Sequence, residues 1–490
     1  MNMPSTPTHA SPNRTGTRLS LLAAGLAAAA ALAGCASPVP ADAPLPALPA
    51  QWRFATPASA ASAASVAAAG PAMGGTDAIS VSWWQAFGSD ELAGLVAQAR
   101  ADNPSLAAAW ARLRQARAKV AVARAGLFPS LNGSADAARY GGNGLSPDDD
   151  TANFRLGLAA SYEVDVWGGN RAATASASAA WRAAAFDRDA ATLAVTSEVA
   201  LAWLQAVSLR ERTAIAAGMV DNTRRVLALV EARHAAGSAT ALEVAQQRGL
   251  VANRERTMRQ LAQRGNDSTV AVAVLLGQPV SNVELRSASL ADVRDPSIDS
   301  GLPAALLARR PDLAAAEARL VSADADIAMA RALMLPRLTL TAGGTFETNR
   351  LRALFDNPIY SVAAGVLAPI FDAGRLAAGR DVAIARKQEL LADYRSAIIA
   401  ASADVEMALN TIQGAAGQRI AQDEELAQAR RAFTLAEYRY RAGAETLLTV
   451  LDAQRTLFDA EDAAAQLRLA RLQGSVLLYK ALGGGWEPGI

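Results

Sequence analysis

The chain has 490 residues, 51% hydrophobic and 19% charged, and its 47 basic and 46 acidic side chains leave a formal charge of +1. That balance lacks the basic surplus a nucleic-acid partner requires, so no nucleic acid is expected. One cysteine and two histidines exclude an intrachain disulfide and leave too few ligands for a Cys/His metal cluster, while alanine carries most of the apolar fraction and favours closely approaching helices.

At the N-terminus, Arg14 and Arg18 precede LSLLAAGLAAAAALAGC, a basic region followed by an apolar stretch of about fifteen residues. This is short and alanine-rich for a membrane span. It closes on Leu32-Ala33-Gly34-Cys35, which resembles the lipobox of bacterial lipoproteins. The resemblance implies a signal peptide over 1–34 and an acylated Cys35 as the mature N-terminus. Ala36 in place of Asp implies the outer membrane. Residues 35–80 read as the lipidated end and an extended linker, since 36–76 is rich in Ala, Pro, Ser and Gly without periodicity.

The remainder is written twice. NPSLAAAWARLRQARAKVAVARAGLFPSL from Asn103 aligns without a gap on RPDLAAAEARLVSADADIAMARALMLPRL from Arg310, an offset of 207 from Pro104 to Pro311. VWGGNR ending at Arg171 then faces IFDAGR ending at Arg375. ARHAAGSATALEV from Ala232 faces YRYRAGAETLLTV from Tyr438, and LLGQP from Leu275 faces ALGGG from Ala481. The first repeat covers 81–280 with a hairpin at 130–167. A connector covers 281–302, and the second repeat covers 303–490 with a hairpin at 337–371. In each, a helix starts at a proline, two strands follow, and helix then runs on with little punctuation. From Arg171 to Ala236 this amounts to about 100 Å of helix, which needs a partner along its length.

The strand NFRLGLAASYEVDVWGG alternates Phe154, Leu156, Leu158, Ala160, Tyr162, Val164 and Val166 with polar residues that include Arg155, Glu163 and Asp165. Four strands of about ten residues can cross a membrane when tilted, yet cannot close a barrel alone. With the lipoprotein signal, the consistent solution is several copies pooling hairpins. Lipid then faces the apolar row, and pore water faces Arg155, Glu163 and Asp165. A soluble sheet on a lipid-tethered periplasmic structural coiled coil is the alternative.

WWQAFGSDELAGLVAQARADNPSLAAAWARLRQARA (83–118), RRPDLAAAEARL (309–320), YEVDVWG (162–168), APIFDAGR (368–375), YRAGAETLLTVLDAQRTLFDAE (440–461) and LYKALGGGW (478–486) together resemble the TolC/OprM-type outer-membrane factors. The likeness is to the lipoprotein subgroup paired with resistance-nodulation-division pumps. It implies a mainly α fold with a transmembrane β-barrel: a homotrimer with a 12-stranded barrel, four strands per chain, continued by a long periplasmic α-helical coiled-coil tunnel. The stretch 278–303 and both chain ends would belt the tunnel. The implied function is a passive gated conduit of a tripartite efflux pump for small toxic compounds, in outer-membrane lipid. Its partners would be a periplasmic adaptor protein and an inner-membrane proton-driven pump. A type I protein-secretion conduit is the alternative on the same fold.

No catalytic constellation, cofactor motif or metal site is present in the sequence, so an enzyme is not expected. His234, the only histidine after the signal, reads as a helix-end residue. By position in the resemblance, the reversals at Gly237 and Gly443 are hairpin tips. Arg233, Gly237, Ser238 and Leu242, with Gly443 and Leu448, are candidate adaptor contacts; Arg439 and Glu445 share that position. Glu445 and Asp452, seven residues apart, are expected on one helix face as rings of carboxylates at a periplasmic gate. Arg439, Tyr440 and Arg441 are expected to tie that gate to neighbouring rods.

Overall fold

The computed structural model describes residues 46, 48–54, 80–140 and 151–486. The expected signal peptide, Cys35, most of the linker and residues 141–150 lie outside the described residues. The helices are α1 (Asp90–Asp102), α2 (Pro104–Ala125), α3 (Gly169–Ala235), α4 (Ala241–Leu275), α5 (Pro311–Ala332), α6 (Arg375–Arg441) and α7 (Leu447–Ala481). The strands are β1 (Ser130–Tyr140), β2 (Thr151–Val164), β3 (Arg337–Thr348) and β4 (Pro358–Leu367). A single helical turn, Leu306–Arg309, precedes α5.

The halves match element for element. α2 and α5 have 22 residues each, α3 and α6 have 67, and α4 and α7 have 35. Pro104 and Pro311 stand at the first position of their helices, where no intrahelical N–H is needed. The LLGQP/ALGGG match has a steric cause. A Cβ on Gly277 would stand 2.7 Å from the Asp102 carbonyl oxygen, and one on Gly483 would stand 1.9 Å from that of Arg309. Both glycines have positive φ, 68° and 91°. Each closes its repeat against the chain entering α2 or α5.

The strands end earlier than their alternation suggests. β2 stops at Val164, not 167, because the Val166 N–H turns back to the Val164 carbonyl at 2.8 Å. β4 stops at Leu367, not 371, and Pro369 just beyond it has no N–H to extend a ladder. Val166 therefore leaves the apolar row.

α3 packs against α2, α4, α5 and α7, and α6 packs against α5 and α7. Lying between two long helices, α5 buries Leu313, Ala315, Ala318, Ala323 and Ile327. Its counterpart α2 buries only Leu106 and Ala109, and leaves Trp110 52% and Val122 75% exposed. One core gathers Trp83, Phe87, Trp203 and Tyr479, with the Trp83 and Tyr479 rings stacked at 5.3 Å. A second, distal core runs between the hairpins through Val230, Val244, Phe433, Val450 and Leu457.

The connector is pinned across this body. The Glu91 carboxylate accepts from Trp203 Nε1 at 2.9 Å, from the Ser287 N–H at 3.1 Å and from the Arg286 N–H. Burial opposes its ionisation, but these donors prevail and hold its pKa below the ordinary value. Glu211 accepts from the Leu290 N–H at 2.8 Å, and Trp52 Nε1 donates to the Gly301 carbonyl at 3.0 Å.

Gly483→Ala is expected to cost about 2–4 kcal/mol by forcing the Arg309 backbone aside. Thermal unfolding in detergent should show a lowered midpoint. A midpoint equal to that of the natural chain would refute the closing role.

Candidate functional site

The four strands form one antiparallel sheet in the order β1-β2-β3-β4. Its register sorts the side chains. Leu131 pairs with Ala160, which pairs with Ala342, which pairs with Val362. Ala135, Leu156 and Phe346 form the next such row but one, and Tyr162, Leu340 and Ala364 another. One face is thus apolar across all four strands, and every residue of β4 is exposed, Tyr360 by 87% and Val362 by 82%. No described helix covers this face. A sheet of this kind, with both edges unpaired among the described residues, is unstable in water.

The other face is polar. Asp136, Arg155 and Glu347 lie side by side. Arg155 Nη2 meets Glu347 Oε1 at 3.0 Å, and Asn153 Nδ2 donates to the same oxygen at 2.9 Å. Glu163 stands on this face beside Thr339. Asp165 does not. It lies past the end of β2, and its carboxylate accepts from the Asn170 N–H at 3.0 Å and the Arg171 N–H at 2.9 Å. It caps α3 by satisfying the orphan donors of the first turn, a role hidden by its place in the alternation.

At the far end of the rods, Gly237 and Gly443 take φ of 76° and 75°. The Ser238 N–H reaches the Arg233 carbonyl at 2.8 Å, and the Ala444 N–H reaches that of Arg439 at 2.9 Å. Both reversals are therefore the same glycine-dependent helix stop. The first tip continues with a capping box, Thr240 Oγ1 accepting from the Glu243 N–H at 3.2 Å and Glu243 Oε2 from the Thr240 N–H at 2.6 Å. His234 Nδ1 stands 2.9 Å from the Ala239 carbonyl within this loop. Ser238 and Leu242 are exposed, Leu242 by 66%.

The second tip differs. Thr446 precedes α7, which begins only at Leu447, so Glu445 lies in the loop and does not share a helix face with Asp452. Its carboxylate accepts from the Thr446 N–H and the Thr449 hydroxyl, both at 3.1 Å, and faces Arg439 at 3.7 Å. The Thr446 N–H first, then Thr449 and Arg439, lower its pKa. Asp452 pairs with Arg455 at 2.9 Å, and Arg441 with Glu437 at 2.6 Å within α6. Arg441 therefore makes a local helix pair within α6.

Arg233 joins the two hairpins. Its Nη1 donates to the Tyr440 carbonyl at 2.6 Å and its guanidinium stands 4.6 Å from the Tyr440 ring centre. Tyr440 is 2% exposed, and burial raises its hydroxyl pKa. The sequence assigned Arg233 to the adaptor; its reach to Tyr440 needs the end of α3 to meet the end of α6, which no local pattern encodes. Leu448 stands at the second residue of α7, beside the tip and 72% exposed, as Leu242 does at the first hairpin. It lines a groove of about 630 Å³ between α4 and α7, together with Leu451, Asp452, Arg455 and Arg254. Arg254 was not anticipated: it is a basic residue among others on α4, yet only 7% exposed.

An apolar-walled, polar-lined sheet on rods of this length is the architecture of an outer-membrane channel. The comparisons agree. The outer membrane efflux protein family model matches residues 95–278 and again 302–484, and the chain belongs to this family. It is 47% identical over 467 residues to the pyoverdine export outer membrane protein OpmQ of Pseudomonas aeruginosa, covering 93% of this chain and 95% of that one. It is 32% identical to the solvent efflux pump outer membrane protein SrpC of Pseudomonas putida, covering 82% and 87%. The solved CusC structure superposes with a TM-score of 0.78 at 26% identity, covering 90% of this chain and 98% of that one. The outer-membrane channel OprN superposes at 0.77 and 29% identity, covering 84% and 94%. The fold class is that of the trimeric outer-membrane channels, a β-barrel wall continued by a helical tunnel, and the protein is an outer-membrane efflux channel of the tripartite-pump kind.

Arg233→Gln removes both ties to Tyr440. Hydrogen–deuterium exchange at the amides of residues 440–444 is expected to rise by about tenfold or more, equivalent to about 1.4 kcal/mol of local opening. Unchanged protection would show that the hairpins are held by packing alone.

Proposed function

We propose that three copies close the barrel edge to edge, anchor in outer-membrane lipid through the barrel and through acylated Cys35, and form a gated exit for small organic compounds. The observation that carries this reading is the sheet: among the described residues its apolar face is uncovered and its two edges are unpaired. The exposed side of α2 supports it, since α5 shows what that helix type buries when it lies between two rods. Small organic cargo is the class named in common by the pyoverdine, solvent and toluene relatives.

In this reading the partners are a periplasmic adaptor and an inner-membrane pump, proton-driven as the lipoprotein-subgroup likeness implies. Gly237, Ser238, Leu242 and Gly443, at the ends of the rods, are the adaptor contacts. Glu445, Asp452, Arg439 and Tyr440 belong to the resting gate, with Arg233 as the tie that holds the hairpins together. Arg155 and Glu163 face the lumen. Being a conduit, the chain carries out no chemistry of its own.

The test is electrical and cellular. Purified oligomer in planar bilayers should give pores of low resting conductance, and Glu445→Ala should raise it at least twofold. Unchanged conductance and ion selectivity would remove Glu445 from the gate, and an absence of pores would overturn the reading. In cells, a protonophore should stop export through the channel. Export that persists under the protonophore and stops on ATP depletion would replace the pump and leave the conduit.

A further inference from the structure

Arg254 stands out among the charged groups of the distal rods. It is 7% exposed, and its Nε has no hydrogen-bond partner among the described residues. The guanidinium lies 4.5 Å from the Phe458 ring centre, so an aromatic face and not a carboxylate receives it. Burial lowers its pKa, Asp459 acting against this and Arg455 with it. A buried cation with a ring against it and one carboxylate that only partly offsets its burial is under-compensated. Held against a ring, a guanidinium still has N–H donors to offer a carboxylate, which it can bind in bidentate fashion.

The surroundings supply room for such a ligand. Arg254 lines the groove of about 630 Å³ between α4 and α7, a volume in the range of small-molecule sites. Leu250, Leu448 and Leu451 give it apolar walls, and Asn253 a polar rim. Its carboxylates do not fill the need. Asp452 is paired with Arg455 and 64% exposed, and Asp459, which also lines the groove, is exposed and only partly offsets the burial of Arg254. Arg254 is the thirteenth residue beyond Ala241, about 20 Å from the tip.

We propose that this groove is a solute-binding shelf just inside the periplasmic entrance, which receives small amphipathic molecules bearing a carboxylate, with Arg254 as the group that binds it. The proposal rests on the conduit reading above, because a shelf beside Asp452 serves cargo only if the hairpins enclose the passage. It separates cargo by charge before the barrel does. A neutral solute of equal size gains the leucine contacts but leaves the guanidinium unpaired.

The test uses the full-length oligomer in detergent, 5-carboxyfluorescein as probe and fluorescence anisotropy as readout. Benzoate should compete and benzyl alcohol should not. Arg254→Gln is expected to raise the probe Kd at least tenfold and Arg254→Lys by less. Asn253→Asp places a negative charge on the exposed rim without touching the core, and should raise Kd about fivefold. Equal Kd values across the three variants would overturn the shelf, as would competition by benzyl alcohol as strong as by benzoate. Retained probe affinity in Arg254→Gln together with lost adaptor binding would overturn it in favour of a protein-docking groove. Each preparation is also tested for bilayer conductance: intact conductance with an unchanged Kd refutes the shelf alone, whereas absent conductance in the natural chain refutes the conduit.

Discussion

A β-sheet whose apolar face is bare and whose two edges are open sets the terms for the rest of this molecule. Such a sheet needs a solvent that accepts hydrocarbon on one side, and neighbours that accept N–H and C=O groups at both edges. Lipid answers the first need, and further copies of the sheet answer the second. Four antiparallel strands bring β1 and β4 to opposite edges running in opposite directions, so a β4 edge of one chain can continue the antiparallel pattern on β1 of another. The long rods follow from the same closure, because each sheet must be carried by helices that close round one axis.

Duplication is how one gene supplies this geometry. The equal lengths of α2 and α5, α3 and α6, and α4 and α7 make a chain into two near-equivalent staves. The two tips then depart from equivalence. Glu243 completes a capping box at the first tip, whereas Thr449 takes its place at the second and Glu445 bonds the loop instead. The first tip is built to be stable. The second is held by looser contacts and by a tie from Arg233. A conduit that must open benefits from one rigid and one yielding hairpin.

Much of this was legible in the residues. The alternation around Phe154 and Leu156, the 207-residue repeat and the glycine stops each have one dominant local cause, and each emerged in the structure at or near its expected place. What the sequence concealed depends on contacts distant in the chain. Asp165 fits the alternation of β2, but the first turn of α3 claims its carboxylate. Arg233 reads as an exposed tip residue until the end of α3 is laid against that of α6. Glu445 and Asp452 share a helical spacing, which loses its meaning once α7 is found to begin at Leu447. Arg254 gave no signal, since burial of one arginine among several on a helix is decided by a ring on the partner rod.

The central claim is that the open edges of the sheet pair between chains. Within one chain β1 and β4 are separated by two strands, about 14 Å from edge to edge, too far for a disulfide. In a Cys35→Ser background, a cysteine at Ser134 is combined with one at each position from 359 to 366 in turn, and the membranes are mildly oxidised. The account predicts that one register yields covalently linked chains up to a trimer, with neighbouring registers falling away. Failure of every register to link chains, in material that dissolves without detergent as a monomer, would contradict it.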